Sequence, residues 1–348
     1  MSTATFPLLL LPENAQRKVL NGFDVIQLMD ASRINFSLLS NNAKQLAKSL
    51  NLAIDKIFLC PDDDFIEILS ILEYEISVRL IFYPPESSTG IQPVRGTVPI
   101  FVPSRVKVEK DLEETGEYQN PGLSVSEWLE LFREVFNHPP ILNIAWSKPD
   151  CLFNMKSIKD TVKGFNVDGL YFTLDCGMDC AQLVLKNFPE YKKLFIDSPA
   201  FRNPVEYQNI LIQNADILTI GSFDLDLKIS LDDILLINSE WIDIISRHIT
   251  DKMINRYLKH WIQGSNPRME KMRIKFEPNR ILDEEVILKG LKYRRTQPNR
   301  KRYFRMIEHE GVVTAEEGID IRRKDGAEGT IVFETLNGNS CFVFYVCN

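Results

Sequence analysis

Histidines, cysteines and grouped carboxylates are the side chains of this sequence that could bind a metal or carry a proton, and their spacing decides what they can do. His138, His248, His260 and His309 are spread along the chain without ligand spacing. Cys176 and Cys180 are separated by three residues, but no second Cys or His pair accompanies them to complete a tetrahedral zinc site. Asp62, Asp63 and Asp64 are contiguous and read as a solvated loop, with no neighbour that would drive their proton affinities apart for acid–base work. No phosphate-cradling glycine loop, paired-histidine metalloprotease helix or nucleophile elbow is present. The expectation is a chain with no metal, no cofactor and no catalytic residues, so not an enzyme.

One charge feature stands out. Lys289 to Arg305 carries eight basic and no acidic residues among 17, with Tyr293, Tyr303 and Phe304 interleaved. Basic residues alternating with aromatics can grip a nucleic-acid backbone and stack on bases. Arg300-Lys301-Arg302 also has the make-up of a nuclear import signal. The weight lies with a solvated edge or a docking patch, because outside this run 33 basic residues face 48 acidic ones and the whole chain has a net charge of -7. Nucleic acid is therefore not the expected partner.

The elements that would carry these residues follow from periodicity. At 348 residues, 44% hydrophobic and 26% charged, the chain is long enough for two structural units with real cores. Its first apolar stretch, Phe6 to Leu11, is interrupted at Pro7 and has no basic residues before it, so neither a signal peptide nor a membrane span is read there. Six scattered cysteines fit reduced thiols, which points to the cytoplasm or nucleus. Residues 6–50 have a helical period, with Pro12 and Glu13 at a helix start and apolar residues at Val19, Leu20, Phe23 and Ile26. Such a short segment has more apolar surface than it can bury alone.

Residues 54–123 read as a β-rich connecting region with strands at Ile57–Leu59, Val78–Tyr83, Ile100–Val102 and Val106–Val108, and with loops at 84–99 and 109–123. From residue 124 to 348 a repeat emerges. Apolar-x-apolar triplets begin at Leu142, Leu170, Leu194, Leu218, Ile242 and Met272, in steps of 28, 24, 24, 24 and 30 residues. Helical patterns lie between them at Met155–Phe165, Cys180–Phe188, Asn203–Gln213, Ser230–Ile237 and Thr250–Gln263. This spacing predicts an α/β fold built as a leucine-rich-repeat-like strand–helix solenoid, closed by a hairpin turning at Asp325-Gly326 and a last strand at Cys341–Val346. If the outer residues of each triplet point inward, the middle ones form a stripe of Asn143, Tyr171, Phe195, Thr219, Asp243 and Arg273 on the other face. That stripe is the candidate substrate-binding surface.

Two segments carry a family resemblance. FPLLLLPENAQRKVL (Phe6–Leu20) and INFSLLSNNAKQLAKSLNL (Ile34–Leu52) resemble the F-box of the large nematode F-box family, through Leu11-Pro12, Val19-Leu20 and the Ser37–Ser40 run. The stretch between Val19-Leu20 and Ser37 is about one helical turn longer than in that pattern. Residues 209–276 look like the type 2 F-box-associated domain of the same family. The motif residues there are Asn255, Leu258, Lys259, Trp261, Ile262, Gly264, Ser265, Asn266 and Pro267. The resemblance implies a small helical F-box over 6–50 that docks on the Skp adaptor of a cullin–RING (SCF-type) ubiquitin ligase, and a C-terminal domain that captures a client protein for degradation. Leu11, Pro12, Val19, Leu20, Ile34 and Leu38 are the adaptor-binding candidates that it implies. The rival reading is an interaction module that acts without ubiquitin transfer. The Gly264-Ser265-Asn266-Pro267 turn itself reads as a helix stop, with Gly264 as a left-handed cap and Trp261 in the core.

Overall fold

A computed structural model describes Gln45, Lys48 and the chain from Ile54 to Cys347, apart from 63–64, 73–76, 86–93, 95, 120–121, 137–138, 140, 174, 198–203, 225–226, 297–301, 307–310, 316–317 and 337. The described residues form a mixed α/β structure dominated by sheet, and the chain divides into two units, 1–168 and 169–348. The six F-box candidates from Leu11 to Leu38 lie outside the described residues.

The first unit is built on an antiparallel meander of β1 (Ile54–Pro61), β2 (Ile66–Leu72), β3 (Ser77–Tyr83), β4 (Arg105–Lys110) and β5 (Glu113–Gln119), each pairing with the next. A sixth strand, β6 (Ile141–Trp146), adds parallel to β1. Alternation sets the core: Ile57, Leu59, Ile66, Ile68, Val78, Leu80, Phe82, Val106 and Val108 are all at most 1% exposed. Helix α1 (Val125–Val135) starts at a capping box, in which the Ser124 hydroxyl accepts from the Glu127 amide and the Glu127 carboxylate accepts from the Ser124 amide. Its buried Trp128 lies 5.9 Å from Phe82 and 5.8 Å from Tyr118, which fixes the helix over β3 and β5. Helix α2 (Met155–Thr161) is capped by Asn154.

Three expectations for this region change. β2 is a strand that the sequence reading passed over, and β5 replaces part of the loop expected at 109–123. The polar EETGEYQ strand has no apolar alternation of its own. It is held because Asp111 and Leu112, both at positive φ (47° and 76°), make the tight hairpin turn that returns it along β4. Ile100–Val102 is no strand: Pro99 and Pro103 flank it, and among the described residues it joins no ladder.

The second unit carries the repeat. β7 (Asn166–Phe172), β8 (Lys193–Ile196), β9 (Ile217–Ile220), β10 (Trp241–Ile245) and β11 (Lys271–Pro278) run parallel in chain order. Between them lie α3 (Met178–Asn187), α4 (Pro204–Leu211), α5 (Leu231–Leu236) and α6 (Asp251–Gln263), where the helical periods placed them. After α7 (Glu284–Leu288) the topology changes. β17 (Asn339–Cys347) pairs antiparallel with β11, and β16 (Glu328–Leu336), β15 (Ile319–Arg322) and β12 (Tyr293–Arg295) follow outward, each antiparallel to its neighbour. β13 (Arg302–Met306) and β14 (Gly311–Ala315) form a separate hairpin. Gly326 (φ 102°) lies in the turn between β15 and β16, as the hairpin reading placed it.

The outer residues of the predicted triplets are the core. Leu170, Phe172, Leu194, Ile196, Leu218, Ile220, Ile242, Ile244, Met272 and Ile274 are all at most 2% exposed. Trp261 of α6 stands edge-on to Phe344 of β17 with ring centroids 4.8 Å apart, so this helix lies on the buried face of the sheet. Among the described residues, no helix is long and apolar enough to cross a membrane.

Candidate functional site

The opposite face of the second unit's sheet carries the stripe. Parallel pairing puts Tyr171 beside Phe195, Phe195 beside Thr219, Thr219 beside Asp243 and Asp243 beside Arg273, so five side chains from five strands stand in one row. All five are partly exposed, while the residues flanking them in sequence are buried. The row begins with an aromatic stack: the Tyr171 and Phe195 rings are 4.2 Å apart and 8° from parallel. It ends in an ion pair, in which the Arg273 Nε donates to an Asp243 carboxylate oxygen at 2.9 Å and its Nη2 contacts the other. Matching bidentate geometry makes this the strong form of an arginine–carboxylate contact.

The sixth stripe residue is corrected. Asn143 belongs to β6 in the first unit and is only 4% exposed. It stands beside Phe58 of β1, itself 8% exposed, and its amide nitrogen donates to the Ile57 carbonyl at 3.4 Å. Burial removes it from any exposed surface.

A second row on the same face was missed, although the same two-residue alternation would have found it. Lys193, Ile217, Trp241, Lys271 and Tyr345 are in register beside the stripe. The Lys271 ammonium lies 4.3 Å from the centre of the Trp241 ring and 5.6 Å from that of Tyr345, a cation held between two aromatic faces. Burial, with the Glu334 carboxylate adding to it, pushes the Tyr345 phenol up to about 12, so it stays protonated at physiological pH. Beyond it, Cys341, Val343 and Tyr345 form a small apolar cluster extended by Val332, which roots the charged rows at β11.

The motif at 255–267 has a different job. Asn255 is buried, and its amide donates to the Ile287 and Lys289 carbonyls at 2.7 and 2.9 Å, clamping α7 to α6. Gly264 ends α6 at φ 116°, with its amide donating to the Trp261 carbonyl and that of Ser265 to His260. Asn266, left-handed at φ 51° and 5% exposed, donates to the Ile237 and Ile234 carbonyls at 2.7 and 3.3 Å. It satisfies the frayed end of α5. Trp261 is fully buried. The motif therefore fixes helix ends. Asn266→Ala is expected to lower unfolding free energy by about 1–3 kcal/mol, because the buried Ile237 carbonyl loses this donor and the Ile234 carbonyl keeps only the long 3.4 Å bond from the Ile237 amide. A urea midpoint equal to that of the unmodified protein would contradict this.

The side chains that raised the question of chemistry are dispersed. Cys176 and Cys180 are 1% and 3% exposed. Asp62 sits in the β1–β2 turn, 3.7 Å from the Lys148 ammonium. Among the described residues no group of three or more His, Cys, Asp and Glu could hold a metal ion. The described part of the basic run includes edge strand β12, where Arg294 pairs with Asp320 at 3.4 Å and Arg295 with Glu284. Residues 297–301, including Arg300 and Lys301, lie outside the described residues.

Comparison with known proteins finds a family match within this second unit. Residues 206–274, from α4 to β11, match the family described as F-box associated. Over 97% of its length the chain is 24% identical to the F-box associated domain-containing protein sdz-33 of Caenorhabditis elegans, covering 96% of that protein. The resemblance to nematode proteins with an F-box-associated domain, read above at 209–276, is thereby supported. No solved structure matches the chain.

Proposed function

We propose that this protein is a non-catalytic substrate-recognition subunit of an SCF-type ubiquitin ligase in the cytoplasm or nucleus. The F-box read at residues 6–50 would bind the Skp adaptor, and the strand–helix repeat, read as a leucine-rich-repeat-like solenoid, would hold a client. One observation carries the reading. The F-box-associated match covers β9, β10 and the first half of β11, the same strands that place Thr219, Asp243 and Arg273 in a partly exposed row. Parallel sheets are ordinarily covered on both faces. A row of aromatic and charged side chains left partly exposed on one face is a surface suited to protein contact. The subunit's contribution would be effective concentration: a client held beside a loaded conjugating enzyme reacts as if tethered to it.

The test is titration calorimetry of Skp adaptor bound to a cullin fragment into the full-length chain and into a Leu11→Ala/Pro12→Ala variant. The expected result is submicromolar binding, at or beyond about -8 kcal/mol, reduced at least about tenfold in the variant. Absence of heat with a folded protein would overturn the adaptor assignment. Adaptor binding without client ubiquitination in a reconstituted ligase would favour an interaction module that transfers no ubiquitin.

A further inference from the structure

Three buried hydrogen-bond donors lie where α6 meets the turn from β15 to β16. Arg323 Nη1, the Tyr257 hydroxyl and the Trp261 indole Nε1 are each shielded from solvent and have no hydrogen-bond partner among the described residues. Tyr257 and Trp261 stand one turn apart on the buried side of α6, at 1% and 0% exposure. Arg323 opens the turn and is 7% exposed. The turn is pinned to α6 by the Lys324 amide, which donates to the Ile262 carbonyl at 3.0 Å. The Arg323 guanidinium carbon thereby comes to 5.3 Å from the centre of the Trp261 ring. Its charge reaches Tyr257 as well: burial pushes that phenol up, and the guanidinium opposes part of the rise. The phenol keeps its proton and stays a donor.

Arg323 has an anionic partner on its outer side. Its Nε donates to the two oxygens of Asp325 at 2.9 and 2.8 Å, and Asp325 is 57% exposed. The buried Nη1 is a cationic donor, for which a missing acceptor costs more than for a neutral one. Guanidinium and indole N–H groups can only donate, and a water has two lone pairs for three donors. A small anion can accept from all three at once. We propose that the β15–β16 turn and the buried side of α6 enclose a binding site for a monovalent anion of halide size, held by Arg323 Nη1, the Tyr257 hydroxyl and the Trp261 indole. The ion ties the β15–β16 hairpin to α6. Lys324 and Asp325 are exposed and form the cover of the site, so the ligand is an ion small enough to enter when this turn opens. The inference is independent of the adaptor and client readings.

The test is thermal unfolding of the full-length chain, followed by circular dichroism, in sodium chloride and in sodium gluconate at equal ionic strength. Gluconate is too large for the site. Chloride should raise Tm saturably. At about ten times the dissociation constant, mass action multiplies the folded-to-unfolded ratio about elevenfold, a shift of about 3–6 °C for a unit of this size. Arg323→Met should abolish the difference between the two salts. Tyr257→Phe keeps the ring and removes one donor, so it should weaken the apparent chloride affinity about tenfold. Each variant is compared with itself in two salts, so a general loss of stability cancels. Crystals of the unmodified protein grown in sodium bromide give a readout that needs no variant to fold: an anomalous peak within hydrogen-bond distance of Arg323 Nη1 and the Tyr257 hydroxyl. Equal Tm in the two salts, or a chloride shift that survives intact in both variants, would overturn the inference. Density at the site without a bromide signal would also overturn it, and would assign the three donors to an ordered water.

Discussion

Gly221→Ala is expected to unfold the second unit, or to cost more than about 4 kcal/mol if it still folds. Gly221 follows the last residue of β9, at φ 94°, with its amide donating to the Ile196 carbonyl at 2.9 Å. A β-carbon there would lie 2.2 Å from the Ile245 carbonyl oxygen. Relief would require separating the ends of β9 and β10, which are paired from Ile217–Trp241 to Ile220–Ile244. The clash adds to the intrinsic cost of a left-handed conformation for an L residue, about 1–2 kcal/mol. Gly264→Ala separates the two effects. Its φ is 116°, but nothing lies within 4 Å of the added carbon, so only the conformational cost applies. Urea denaturation of both variants provides the test. A Gly221→Ala protein as stable as Gly264→Ala would show that the two strand ends can part freely.

Trp261→Ala should destabilise the same unit by about 3–5 kcal/mol, a large share of the 5–15 kcal/mol typical of a folded domain. The indole is fully buried, edge-on to Phe344, and the Arg323 guanidinium carbon lies 5.3 Å from its ring centre. Truncation would open a cavity between α6 and the β15–β17 region and remove an aromatic pair and a cation–π contact together. Trp261→Phe keeps an aromatic ring against Phe344, so it should lose roughly half as much. Equilibrium unfolding in urea, followed by circular dichroism, is the measurement. An unchanged midpoint for the alanine variant would mean that this core does not hold α6 to the sheet.

The strand–helix repeat was legible because alternation and helical period are local. Leucine or isoleucine two residues apart in a short run can satisfy only one sheet face, and capping residues such as Ser230 and Thr250 mark helix starts within a few residues. Helices α2 to α6 and the parallel strands β7 to β11 follow from such signals. β5 was not legible: its residues are polar, and what makes it a strand is the turn at Asp111 and Leu112 and the partner β4. The roles of Asn255 and Asn266 were hidden for a similar reason. Their acceptors lie 29 to 34 residues away, and no pattern in the sequence names a carbonyl that lacks a donor.

Within the strand–helix repeat, the sequence by itself thus determined the element types, their order and the inward set of each strand, since these depend on neighbours a few residues apart. It also held the family resemblance at 209–276. Tertiary structure alone decided which outward residues share a surface. Register aligned Tyr171, Phe195, Thr219, Asp243 and Arg273 in one row, while burial beside Phe58 withdrew Asn143. The return of β17 to pair with β11 set Cys341, Val343 and Tyr345 against the basic residues of that strand. That pairing joins residues 61 to 74 positions apart, a separation over which hydrophobic periodicity conveys nothing and only the packed sheet selects the partner.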